Sequence, residues 1–97
     1  MLNVGSGAGT VDGLKEPNIA SYRLSKWALH GLTMMQAKEL KGRVSVNGFD
    51  PGWVRTDLGG PQAPGTAEEA AAGLLSTLLV PWDTIGTFFK DGQEIPW

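Results

Sequence analysis

Cysteine is absent from the 97 residues, so neither a disulfide framework nor a thiolate metal site can form. A single histidine, His30, excludes a multi-histidine metal centre. No apolar run approaches the roughly 18 residues that a membrane span needs. No cationic segment leads into an apolar stretch, so no secretory signal is read, and a soluble, cytoplasmic protein is expected. Basic residues are few and scattered, eight against ten acidic, for a net charge of −2. That balance gives no electrostatic footprint for nucleic acid or for a membrane surface. What is present is apolar content of 41%, enough for a packed core in one small domain.

Glycine is plentiful at the start. The stretch NVGSGAGTVDG, residues 3–13, holds four glycines around Ser6. A dinucleotide fingerprint needs G-x-G-x-x-G after a strand and opening a helix. Gly5 and Gly7 supply two glycines, but Thr10 occupies the third slot. The following TVDGLKEPN does not read as a helix, so no aligned set of backbone N–H groups is expected for a phosphate. The alternative is a strand end running into a glycine-rich loop.

The rest of the chain reads as alternating elements. Residues 1–6 read as a short strand. Residues 19–41 form the strongest helix, with Pro17 and Asn18 before it and Gly42 after it. Leu24, Ala28, Leu32 and Met35 make one apolar stripe, and Trp27, Gly31 and Met34 an adjoining one. Two stripes are wider than one core face needs, so part of this helix is expected to meet a second partner, either missing chain or another subunit. Residues 43–49 read as a strand with Val44 and Val46 on one face. The Gly/Pro-rich stretch 57–65 reads as a mobile loop. Thr66 with Glu69 makes a capping box for a helix over about 67–79. Residues 85–89 read as a third strand, KDGQ as a turn, and EIPW as an extended end. The order strand, helix, strand, helix, strand predicts an α/β fold of three parallel strands with right-handed crossovers.

The helix carries YRLSK, residues 22–26, which sets Tyr22 and Lys26 one turn apart on one face. Alone, that pair reads as solvated helix surface. Upstream stands Ser6 at a strand end; downstream, after Asn47, comes PGWVRT at residues 51–56. Together these resemble the short-chain dehydrogenase/reductase family. A strand-end serine, a Tyr-x-x-x-Lys helix with serine before the lysine, and an N-x-x-x-PG-x-V-x-T segment occur there in this order. The match runs through Ser6, Tyr22, Ser25, Lys26, Asn47, Pro51, Gly52, Val54 and Thr56. The ending GTFFKDGQEIPW resembles the last strand and tail of carbonyl-reductase-like members. Gly5 departs from it, since many members carry a second serine there.

The resemblance implies an oxidoreductase using NAD or NADP on a carbonyl or alcohol. Hydride transfer to a carbonyl builds negative charge on oxygen, and a proton must reach it. Tyr22 is the implied donor. A neighbouring ammonium favours a phenolate, and Lys26 is placed to supply one. The resemblance further implies that Lys26 holds the nicotinamide ribose and that Ser6 binds the substrate carbonyl. It sets Pro51, Gly52, Val54 and Thr56 against the nicotinamide. His30 is read as helix surface or subunit contact, Trp53 as pocket lining or packing, and Asp50 and Asp57 as turn residues.

The family's glycine-rich nucleotide loop, its NAD-or-NADP selector and its catalytic asparagine have no counterpart in these residues. The chain is therefore expected to be one partial Rossmann-type domain, the last three strands of a seven-stranded doubly wound sheet. Its first strand would then be an open edge. Two readings stand: a C-terminal fragment of such an oxidoreductase, inactive alone, or a non-enzymatic remnant serving as an interaction or oligomerisation module. The partners expected are a small carbonyl or alcohol substrate and a second copy through the 19–41 helix.

Overall fold

In the computed structural model, which describes residues 1–97, four short strands form one sheet in chain order. Strand β1 (Leu2–Val4) runs parallel to β2 (Asn47–Phe49), and β2 runs parallel to β3 (Phe88–Lys90). The expected parallel core is present, with strands shorter than the apolar runs suggest. A fourth strand, β4 (Gln93–Ile95), turns back antiparallel on β3. Asp91 and Gly92 make that hairpin with φ of 51° and 74°. Both values suit the two-residue turn whose twist matches its flanking strands, for which Asp-Gly is a favoured pair.

Helix α1 (Ala20–Glu39) joins β1 to β2, and α2 (Ala67–Leu78) joins β2 to β3. Thr66 Oγ1 accepts from Glu69 N at 3.1 Å, so the cap expected for α2 is made. At the start of α1, Asn18 serves differently. Its carbonyl and side chain accept from Arg23 at 2.8 and 2.7 Å, and Ile19 takes the cap position with φ 47°. That left-handed conformation is rare for a β-branched residue. It stores on the order of 1–3 kcal/mol of strain.

The strand register settles which helix covers which face. Asn3, Gly48 and Phe88 are aligned across the sheet, and Asn3 Nδ2 donates to Thr33 and Gln36 of α1. Phe49 and Phe89 form the next row, on the opposite face. There a side chain at Gly73 of α2 would sit 3.4 Å from the Phe49 ring. The two helices therefore lie on opposite faces of strands that advance in one direction. Their crossovers have opposite hands, and the expectation of two right-handed ones fails for one of them. The reason is apolar: Phe49 and Phe89 face away from α1 and need a layer of their own.

The α1 face turned to the sheet also differs from expectation. Its buried residues are His30, Thr33 and Ala37, while Leu24, Trp27, Leu32, Met34 and Met35 are exposed. His30 is thus a core residue, only 1% exposed, and not helix surface. Trp97 completes this layer, stacked on Phe88 with ring centroids 4.9 Å apart and donating Nε1–H to the Gly86 carbonyl at 2.9 Å. A Cβ at Gly48 would lie 2.7 Å from Trp97, so glycine is required beneath the indole. The 57–65 stretch, expected to be mobile, is tied down. Val54 pairs with Gly65, Trp53 Nε1 donates to Gly59, and Ala63 is buried. No helix is long and apolar enough to cross a membrane.

Candidate active site

Ser6 leaves the C-terminal end of β1 in extended conformation, and short 3-10 turns follow at Gly7–Gly9 and Gly13–Lys15. Every backbone N–H from 5 to 10 is committed within the chain. Gly5 donates to Phe49 O, Ser6 to His30 Nε2 and Gly7 to Asp50 Oδ2. Ala8 donates to Ser6 Oγ, Gly9 to Ser6 O and Thr10 to Gly7 O. No backbone N–H of residues 5–10 remains for a phosphate, and a carboxylate stands among them. The glycines serve close approach instead: a Cβ at Gly9 would lie 2.6 Å from Lys26 Cβ. The loop is thereby pressed onto the first turns of α1, which sets Ser6 beside Tyr22.

The Ser6 hydroxyl accepts from Ala8 N at 3.1 Å, which leaves its own proton free to donate. Tyr22 is 45% exposed and lines the same cleft as Ser6, a space of about 430 Å³. That volume is in the range of small-molecule sites. Lys26 Nζ donates to Val4 O, the last residue of β1, at 3.1 Å and stands 5.9 Å from the Tyr22 ring centre. Ser6, Tyr22 and Lys26 therefore gather at the C-terminal ends of parallel strands, the crevice where open α/β sheets bind ligands.

The facing wall comes from the segment after β2. Gly52 and Trp53 line the cleft with Ser6 and Tyr22, and Pro51 lines an adjoining hollow that shares both. Asp50 is buried and accepts from Gly7 N at 3.0 Å and Gly52 N at 2.8 Å, stitching the two walls together. Val54 and Thr56 stand apart. Val54 is engaged with Gly65, and Thr56 Oγ1 accepts from Gly59 N at 3.1 Å. Two further cleft residues carry no sequence signal. Lys90, from the end of β3, lies 3.9 Å from Asp50, and Ile19 enters from its strained cap position. Only the folded sheet brings a β3 lysine to this loop.

A model of the short chain dehydrogenase family matches residues 1–66. The chain belongs to the short-chain dehydrogenase family. Among curated proteins, it is 37% identical over 99 residues to the C-signal of Myxococcus xanthus, covering 97% of this chain and 56% of that protein. It is 37% identical over 85 residues to carbonyl reductase [NADPH] 1 of Oryctolagus cuniculus, covering 79% of this chain and 31% of that protein. Among solved structures, the carbonyl reductase Sniffer of D. melanogaster superposes with a TM-score of 0.88 at 27% identity, over 99% of this chain and 40% of that one. An NADPH-bound carbonyl reductase from chicken fatty liver gives 0.87 at 30% identity, over 99% and 42%. The chain thus spans about half the length of the first relative and a smaller share of the others.

Within this family setting, His30 is the residue that sequence reasoning misplaced. Its ring packs 4.6 Å from Phe88 and 5.4 Å from Trp97. Burial holds its pKa below the ordinary imidazole value, outweighing the opposite pull of the Gly9 backbone and of Asp50. The unfolded chain therefore binds a proton that the folded chain resists. Stability contributed by neutral His30 is intact above about pH 6.5 and is lost as pH falls below it. The slope from one such group is at most about 1.4 kcal/mol per pH unit. Urea unfolding between pH 7.5 and 5.5 is expected to show this extra decline, and His30→Gln is expected to flatten it. Parallel curves for the two proteins would contradict the assignment.

Proposed function

We propose that this chain carries the proton-donating half of an NAD(P)H-dependent carbonyl reductase site within a partial Rossmann domain. The observation that carries the reading is the shared cleft: two hydroxyls, Ser6 and Tyr22, open on it, with Lys26 one turn below. Ser6 donates to the substrate carbonyl oxygen, since its oxygen accepts from Ala8 N and its proton is uncommitted. Tyr22 delivers the proton that oxygen needs as the alcohol forms. Lys26 sets a positive charge near the phenol and is the group to meet the nicotinamide ribose. Gly52, at φ 74° and without a side chain, offers bare backbone on the opposite wall. These groups suit the nicotinamide end of a dinucleotide, whereas no backbone N–H of residues 5–10 remains for its phosphates. When bound, the reduced nicotinamide supplies the hydride. NADPH is the cofactor favoured by likeness to the carbonyl reductases. The substrate is a small carbonyl compound or the corresponding alcohol. The test is a chimaera in which this chain follows the glycine-rich half of a carbonyl reductase. Carbonyl-dependent NADPH oxidation is expected, and a folded but inert chimaera would sink the reading.

Association through α1 belongs to the same proposal. Trp27 and Met34 are each 39% exposed and Met35 70%, and β1 is an edge of the sheet. Contiguous exposed apolar surface of this kind marks a contact site. Sedimentation is expected to show dimers or larger species, reduced by Trp27→Glu with Met34→Glu. A clean monomer at high concentration would argue against it.

A further inference from the structure

Glycine at position 5 and histidine at position 30 fit each other. A Cβ at Gly5 would overlap His30 Nε2 and lie 2.8 Å from its Cδ2 and 3.1 Å from Phe88. The imidazole occupies the space that a side chain at position 5 would fill. From there Nε2 accepts the Ser6 backbone N–H at 3.2 Å. An acceptor at Nε2 puts the ring proton on Nδ1, for which the Gly9 backbone is the polar neighbour, short of a well-formed hydrogen bond.

We infer that His30 is a positioning residue for Ser6, acting through the Ser6 backbone amide in space that glycine at position 5 leaves open. The inference rests on the proposed role of Ser6 in binding a carbonyl. Its geometry is fixed by three contacts. His30 sets the Ser6 amide, Ala8 N sets the Ser6 oxygen, and Phe88 with Trp97 sets the imidazole. Thr33 and Ala37 continue the same buried line of α1, so the ring is held by a rigid element and not by a loop. The charged groups facing the imidazole are Asp50 and Lys26, one of each sign. Displacing the Ser6 hydroxyl by about 1 Å is enough to cost on the order of a hundredfold in an oriented reaction.

The test uses NMR of the full 97-residue chain and needs no turnover. Nitrogen shifts of His30 are expected to show a protonated Nδ1 and an unprotonated Nε2 coupled to the Ser6 amide. Two variants separate positioning from packing. His30→Gln keeps an acceptor at the reach of Nε2, and His30→Leu removes it. Ser6 amide exchange is expected to rise at least about tenfold in His30→Leu, with its side-chain rotamers averaging. In His30→Gln both are expected to stay near the parent values. Gly5→Ala is expected to destabilise the parent chain strongly and to do so much less beside His30→Ala, a coupling that a double-mutant cycle measures. A proton on Nε2 in the parent chain overturns the inference even if the Leu variant fails to fold. So does equal Ser6 protection in the Gln and Leu variants. An inert chimaera alongside these NMR results would remove the carbonyl reading and leave the coupling of His30 to Ser6 standing.

Discussion

Replacing Tyr22 with Phe in the chimaera is expected to slow carbonyl reduction by about 10²–10⁴-fold, the usual contribution of a positioned general acid. The ring is 45% exposed, so removing one hydroxyl opens no cavity and unpairs no buried group. Stability should change by less than about 0.5 kcal/mol, as for other surface substitutions. The loss should appear equally in kcat and kcat/KM, because the proton is delivered only as charge develops on oxygen. Lys26 gives the contrast. Its ammonium also binds Val4 O, so Lys26→Met releases the end of β1 as well as a charge. A Tyr22→Phe chimaera that turns over near the parent rate would remove Tyr22 from the proton path.

The parts of this site differ in how far the sequence shows them. Tyr22 and Lys26 are legible because a helix fixes their spacing and thus their shared face. The order of the strands is legible from alternating apolar runs and turns. The covering of both sheet faces is not. It depends on Phe88 and Phe89 pointing opposite ways, and on which helix meets which, a tertiary matter that no local period records. His30 shows the same limit more sharply. By apolar periodicity, Leu24, Leu32 and Met35 are the natural core stripe, yet they are exposed while His30 and Thr33 are buried. The polar line is inside because Asn3 and the Ser6 amide offer it partners, through Thr33 Oγ1 and His30 Nε2. Those partners lie at least 24 residues away in the chain, beyond the reach of a periodicity. Gly5 carried a clue in the form of a departure from the usual serine. Its meaning appears only when the imidazole is seen in the space it leaves.

The isolated chain is expected to bind neither NADPH nor NADH measurably. In dinucleotide folds the pyrophosphate rests on free N–H groups at a glycine-rich helix N-terminus. Here the glycine-rich segment leads into three-residue turns, and its N–H groups are spent on Phe49, His30, Asp50 and Ser6. The Asp50 carboxylate, already accepting from Gly7 N, would repel a phosphate drawn to that loop. Under the proposed function the chain would offer the nicotinamide end alone, through Lys26, Tyr22 and the backbone at Gly52. Each tenfold in affinity is about 1.4 kcal/mol, so the loss of several charge-assisted phosphate contacts weakens binding by three or more orders of magnitude. Calorimetry up to millimolar cofactor should show no saturable heat, and no carbonyl should drive NADPH oxidation by this chain alone. A micromolar dissociation constant for either dinucleotide would mean that the phosphates find donors elsewhere on these 97 residues, and the division of labour proposed for the cleft would fall.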